Sequence, residues 1–239
     1  MNNFDALLKE IKVSNPSGYA YYFKNYIFNN INLNNKTILD LGGGNGIASF
    51  YALHQSASCS AWLVDPIVEG SNQLMIDQFN SLRDSFEKNR ICFHRDFIET
   101  LDEPKHFDIV LMHNSINHIG EDIIEKALYK EEEYVEYVHR IKVITDRLKP
   151  GGDLIVADCG QRNFWGDLGL RSPAAPSIEW NLHCEPNIWQ EMIEKAGSQH
   201  ISTKWTARRE FRTFGKLFLA NRLCSYMLNS HFVSKYKKL

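Results

Sequence analysis

Thr37-Ile38-Leu39-Asp40-Leu41 is a short apolar run that passes directly into Gly42-Gly43-Gly44-Asn45-Gly46, four glycines within five positions. The run suits a strand buried on both faces. Glycine at this density adds backbone entropy and removes packing, so the strand must end in a turn. Beyond the turn, Ile47-Ala48-Ser49-Phe50-Tyr51-Ala52-Leu53-His54 has the apolar spacing of a helix. The glycines therefore lie where backbone approaches a ligand beside a helix N-terminus. Twenty-one residues after Gly44, a second apolar run over 59–64 closes on Asp65, from which a carboxylate can accept both hydroxyls of a ribose. Strand, glycine turn, helix and acid-terminated strand together imply an α/β chain that binds a nucleoside cofactor.

A dinucleotide fingerprint wants glycine at the sixth place of G-x-G-x-x-G, where this chain has Ile47, and its third glycine comes one position early. Asp40 followed by Gly42, Gly44 and Gly46, with Asp65 at the end of the next strand, instead resembles the first motif of the class I S-adenosylmethionine-dependent methyltransferases. A second match lies over a hundred residues downstream, where Leu148-Lys149-Pro150-Gly151-Gly152 resembles what the family shows ahead of its fifth strand. The resemblance covers 40–158 well and the remainder only by order of elements. It implies S-adenosylmethionine as cofactor and S-adenosylhomocysteine as product. The glycine loop would pass beneath the amino-acid part and ribose, Asp65 would hold the ribose with Pro66 beside it, and His113 would touch the cofactor's edge. Asp96 matches the residue at the adenine amino group, with Phe97 as ring neighbour, although Asp96 can equally cap a helical turn beginning at Phe97. The implied fold is one doubly wound α/β domain over 1–239: a mostly parallel seven-stranded sheet, helices on both faces and an antiparallel last strand.

Composition removes several other classes. With 27 basic and 29 acidic side chains and a net charge of -2, no bulk field recruits nucleic acid. The apolar runs are broken by charge well short of the ~20 residues of a membrane span. Five scattered cysteines without a C-x-x-C read as small core residues in a reducing compartment, and the N-terminus lacks the pattern of a secretion signal, so a cytoplasmic protein is expected.

Further short strands are expected over 90–94, 106–112, 153–159, 200–206 and 231–236, with Phe232 and Tyr236 facing away from Val233. Ligands of open parallel sheets bind beyond the carboxyl ends of the strands, so His113-Asn114-Ser115-Ile116-Asn117-His118 lies on the ligand rim. Two histidines and two amides in six residues would meet a methyl acceptor there. A histidine takes up a proton near neutral pH, and a hydroxyl must lose one when it is methylated. His118 is the first choice of base, with Asp158 and His183 next; Asn114 and Asn117 are placed at the substrate. His113 and His118 lack metal-ligand spacing, so no metal is expected.

Residues 1–35 read as an N-terminal helical lid, in which Tyr19, Tyr22, Phe23, Tyr26 and Ile27 share one helical face; Tyr19 and Tyr22 are substrate candidates. The segment 121–148 is too long for one ordinary helix and should bend near Lys130-Glu131-Glu132-Glu133. Residues 160–185 form a long irregular stretch read as an acceptor-side cover, with Arg171 for an anionic group and Trp180 for stacking on a sugar ring. The basic segment 207–229 is an insertion packed either on the domain or on a second copy of the chain. The expected activity is methyl transfer to a small polar acceptor, with a hydroxyl of a sugar-like or other small metabolite as first choice. The alternatives are N-methylation of a small amine or protein, or a non-catalytic scaffold or sensor that binds the cofactor.

Overall fold

The computed structural model describes residues 4–68, 72–101, 106–173, 176 and 178–239. Seven strands form one sheet: β1 (Thr37–Leu41), β2 (Ser60–Val64), β3 (Ile91–His94), β4 (Phe107–His113), β5 (Leu148–Cys159), β6 (Ser198–Trp205) and β7 (His231–Lys238). Their order is β3-β2-β1-β4-β5-β7-β6, and β7 runs antiparallel to both β5 and β6 while the other neighbours are parallel. The strand order reverses at β1/β4, the place where doubly wound sheets open a crevice for ligand.

Alternation along the strands feeds two cores. Ile38, Leu63, Ile109, Leu111, Ile155, Ala157 and Val233 face one layer, built by the N-terminal helices and the helix Ile47–Gln55. Leu39, Trp62, Val110, Met112, Leu154, Val156, Phe232 and Tyr236 face the other, against the helices Glu131–Thr145 and Pro186–Lys195. Burying each of the larger aliphatic side chains among them is worth about 1.5–3 kcal/mol, and the result is a sheet rigid enough to hold loops at its rim. Phe232 and Tyr236 do face away from Val233.

Three details refine the expected elements, the second of them at the bend already expected near Lys130. First, β5 begins at Leu148 rather than Asp153: its register on β4 jumps from Phe107↔Leu148 to Ile109↔Asp153, so Lys149-Pro150-Gly151-Gly152 is a bulge inside the strand. Gly151 takes a left-handed φ of +71° there, and a Cβ on Gly152 would meet the Lys149 carbonyl at 2.9 Å. Second, 121–148 is broken into Ile124–Ala127 and Glu131–Thr145, the latter opening with Glu131, Glu132 and Glu133 against its positive end. Third, the aromatic N-terminal helix changes pitch, Pro16–Tyr22 being α-helical and Phe23–Ile27 a π turn. That change still buries Tyr22, Phe23, Tyr26 and Ile27 together.

Candidate active site

The loop after β1 is shaped by alternate left-handed glycines: Gly42, Gly44 and Gly46 have φ of +65°, +56° and +71°. Side chains avoid this region, which accounts for G-x-G-x-G. At Gly42 space forbids one as well, since a Cβ would lie 2.6 Å from the Ser115 Cβ. Ser115 in turn donates to the Leu41 carbonyl at 2.6 Å, tying the segment after β4 to the loop after β1.

Asp40 lies buried beneath this loop and accepts from the Ser49 hydroxyl at 2.6 Å, while its Oδ1 has no partner. Burial raises its pKa to about 6, against the opposing Ser49 bond. It braces the loop from below. Asp65, at the end of β2, accepts the Gly44 amide at 2.9 Å on one oxygen and the Ile67 amide at 2.8 Å on the other. A carboxylate offers about four acceptor sites in all. Pro66 follows, half-buried. Asp96 accepts the Phe97 amide at 2.9 Å and the Thr100 hydroxyl, which holds its carboxyl below the ordinary range, and Phe97 is exposed. The turn-capping role is thus filled, beside a ring open to contact. Parallel topology sets Asp96, Asp65, the glycine loop and the segment after β4 side by side along one rim. Alternate left-handed glycines, a helix start at Ile47 and a carboxylate at the end of β2 form a cradle that fits a nucleoside whose amino-acid tail carries a carboxylate.

Next along the rim, beyond β4, β5 and β7, is a cavity of about 900 Å³. Its wall contains Tyr19, Tyr22, His113, Asn114, Asn117, His118, Asp158 and His183. Arg171, exposed, and Trp180, whose ring would strike a Cβ on Gly166 at 2.8 Å, are not in that wall.

Asp158 is fully buried, and His183 Nδ1 lies 3.1 Å from its Oδ1 and 3.2 Å from its Oδ2. The Nδ1 proton is thereby directed to the carboxylate, leaving Nε2 as the basic nitrogen. His183 is fixed by its chain neighbours, its amide donating to the Trp180 carbonyl at 3.2 Å and Cys184 being buried next to it. His118 is also paired, Nδ1 to Glu121, but its side chain is 44% exposed against 12% for His183. The distinction matters because a unit-charge pair 4 Å apart gains about 1 kcal/mol in water and about 4 kcal/mol at an effective dielectric of 20.

Several other wall residues carry buried polar atoms. His113 stacks on Tyr22, centroids 5.6 Å apart, and burial, aided by Arg209, lowers its pKa to about 4. Tyr22 Oη, Asn117 Oδ1 and Asn229 Oδ1 are buried without a hydrogen-bond partner, an arrangement that a polar ligand would satisfy.

Several wall residues were not anticipated. His231 links Thr206, at 3.0 Å from Nδ1, to Asn114, at 3.0 Å from Nε2, and burial with His113 and His183 nearby lowers its pKa to about 3. The Arg209 guanidinium lies 4.0 Å above the Tyr19 ring centroid. Their signal was the antiparallel last strand: it brings the start of β7 and the end of β6 to the rim where the parallel strands end, pairing Cys159 with His231 and Trp205 with Phe232.

The model of a methyltransferase domain matches residues 19–232. The chain belongs to the class I S-adenosylmethionine-dependent methyltransferases. No curated protein sequence matches this methyltransferase. Solved structures with the same fold include a methyltransferase from Aquifex aeolicus, at 11% identity and TM-score 0.61, covering 98% of each chain. A 1,6-didemethyltoxoflavin-N1-methyltransferase from Burkholderia thailandensis, holding its substrate and S-adenosylhomocysteine, is 15% identical with TM-score 0.53, over 85% of this chain and 71% of that one. The mitomycin 7-O-methyltransferase MmcR is 14% identical with TM-score 0.57, over 93% of this chain but 53% of its own. As a methyltransferase the chain uses S-adenosylmethionine, which supplies an electrophilic methyl group on a sulfonium.

Proposed function

We propose that this methyltransferase methylates a hydroxyl of a small, polar, sugar-like acceptor, and that His183, oriented by Asp158, removes the hydroxyl proton. The observation that carries the reading is the His183–Asp158 pair in the wall of the cavity beside the glycine loop. The glycine loop and the amides at the start of Ile47–Gln55 hold the amino-acid end of the cofactor, Asp65 the ribose, Asp96 and Phe97 the adenine, and His113 the edge next to the acceptor. Tyr22, Asn117 and Asn229 offer unpartnered polar atoms to acceptor hydroxyls, and Asn114 and Tyr19 complete that side.

Aligning an acceptor with an activated methyl supplies much of the acceleration. The base then has a limited task, worth about 10²-fold or more. His183 suits it better than His118 because its carboxylate is buried, so the imidazolium formed during transfer is stabilised in low dielectric. His118 and Glu121 are placed to bind substrate at the outer edge. Arg171 and Trp180, outside the wall, have no part in this reading. A cavity open to acceptors speaks against a mere cofactor sensor. The test is incubation with methyl-labelled S-adenosylmethionine and matched hydroxylated and amino acceptors: label should enter the hydroxylated set.

A further inference from the structure

Between the cavity-wall residues 206–210 and the wall residues Asn229 and His231, the chain makes a detour that exposes large apolar side chains. Phe214, Leu217, Phe218 and Leu223 are exposed by 59%, 70%, 62% and 72%, with Phe211 and Met227 exposed beside them. Phe211, Phe214 and Phe218 recur at i, i+3 and i+7 through the helical turns Arg212–Phe214 and Gly215–Leu219, and the last two rings touch in a tilted arrangement, centroids 5.1 Å apart. These are not core residues displaced by accident. Isolated exposed apolar residues are ordinary, but a contiguous group on one short element marks a surface that is covered in use.

Charge identifies the cover. Residues 211–227 contain Arg212, Lys216 and Arg222 and no acidic residue, in a chain whose net charge is -2. Among the described residues these three cations enter no ion pair; Lys216 donates to the Asn25 side chain at 2.9 Å and Arg212 to the Ser17 hydroxyl, both neutral. A symmetric contact between two copies would bring like cations together. No helix among the described residues is long and apolar enough to cross a membrane. An amphipathic helical segment with Phe and Leu on one side and Arg and Lys flanking it instead lies in the plane of a lipid surface, the apolar side chains entering the headgroup boundary and the cations meeting anionic headgroups.

We infer that residues 211–227 dock the protein onto anionic lipid bilayers. The segment is anchored at both ends in the cavity wall, so docking would hold the acceptor cavity near the lipid surface. This inference is independent of which atom is methylated.

The test is co-sedimentation of the full chain with phosphatidylglycerol-containing vesicles, with pure phosphatidylcholine vesicles as comparison, at low and high salt. The expected result is binding to the anionic vesicles at least about tenfold tighter than to the zwitterionic ones and weakened by salt. The double variant Leu217→Glu/Phe218→Glu should lose that binding while keeping its thermal melting point and its S-adenosylhomocysteine affinity, since both side chains are exposed and outside the site. Failure to bind anionic vesicles, or equal binding by the double variant, would overturn the inference. So would a concentration-dependent dimer abolished by the same variant, which would assign the face to a second copy of the chain.

Discussion

His183 Nδ1 lies 3.1 and 3.2 Å from the two carboxylate oxygens of Asp158, and its hydrogen bond runs to Oδ2. The pair joins the end of β5 to the segment that follows it in the chain, and fixes which imidazole nitrogen is basic. His183→Gln should therefore lower kcat by about 10²-fold or more. Asp158→Asn should do similar damage by presenting an amide that no longer favours the imidazolium. His118→Gln should act mainly on KM, with kcat within about tenfold. Steady-state kinetics over a range of pH checks all three, with calorimetry against S-adenosylhomocysteine to show that the cofactor site is intact.

Gly42→Ala should damage both stability and cofactor binding. Its backbone is left-handed, and the new Cβ would meet Ser115 at 2.6 Å. A cost of about 1–3 kcal/mol is expected, read from the denaturant midpoint.

Asp65→Ala should weaken S-adenosylhomocysteine binding by about 1.5–3 kcal/mol through lost charge-assisted hydrogen bonds. Asp65→Asn should not restore it. Whichever way its amide is turned, the NH2 would oppose the amide hydrogen of Gly44 or Ile67, both of which now donate to the carboxylate. Calorimetry on the two variants distinguishes a ribose ligand from a loop brace, because a brace alone would move melting temperature more than affinity.

Stability should fall on acidification below about pH 6.5. His113 and His231 have folded pKa values lowered to about 4 and about 3, chiefly by burial, so the unfolded chain takes up protons first and the stability they contribute above pH 6.5 is lost toward pH 4. Asp40 acts in the opposite sense. Its folded pKa of about 6 lies above the unfolded value, so its contribution is present at low pH and is lost as pH rises through 6. Two histidines outweigh one carboxylate, leaving a net slope on the order of 1 kcal/mol per pH unit near pH 5. Chemical denaturation across this range should show the slope, flatter in His231→Gln and steeper in Asp40→Asn.

Much of this was legible in the sequence. β1, β2 and β4 are buried on both faces, so their composition alone marks them, and the left-handed backbone at Gly42, Gly44 and Gly46 is the reason the spacing is G-x-G-x-G. What stayed hidden was set by long-range geometry. His118 and His183 are equivalent as letters; only the fold buries a carboxylate beside one and leaves the other 44% exposed. His231 read as the first residue of a strand, and becomes part of the cavity wall only because β7 runs backwards along β5. Arg171 and Trp180 had the right chemistry for a sugar or an anion, yet one faces solvent and the other packs over Gly166.

The position of the new methyl group on the product distinguishes O-methylation assisted by His183 from its alternatives. Wild-type protein and His183→Gln would be supplied with carbon-13 methyl-labelled S-adenosylmethionine and an acceptor carrying both a hydroxyl and an amine, and the product read by carbon NMR. The wild type should give an O-methyl signal that falls about 10²-fold in His183→Gln. Label on nitrogen, or an undiminished O-methyl signal in the variant, would contradict this reading.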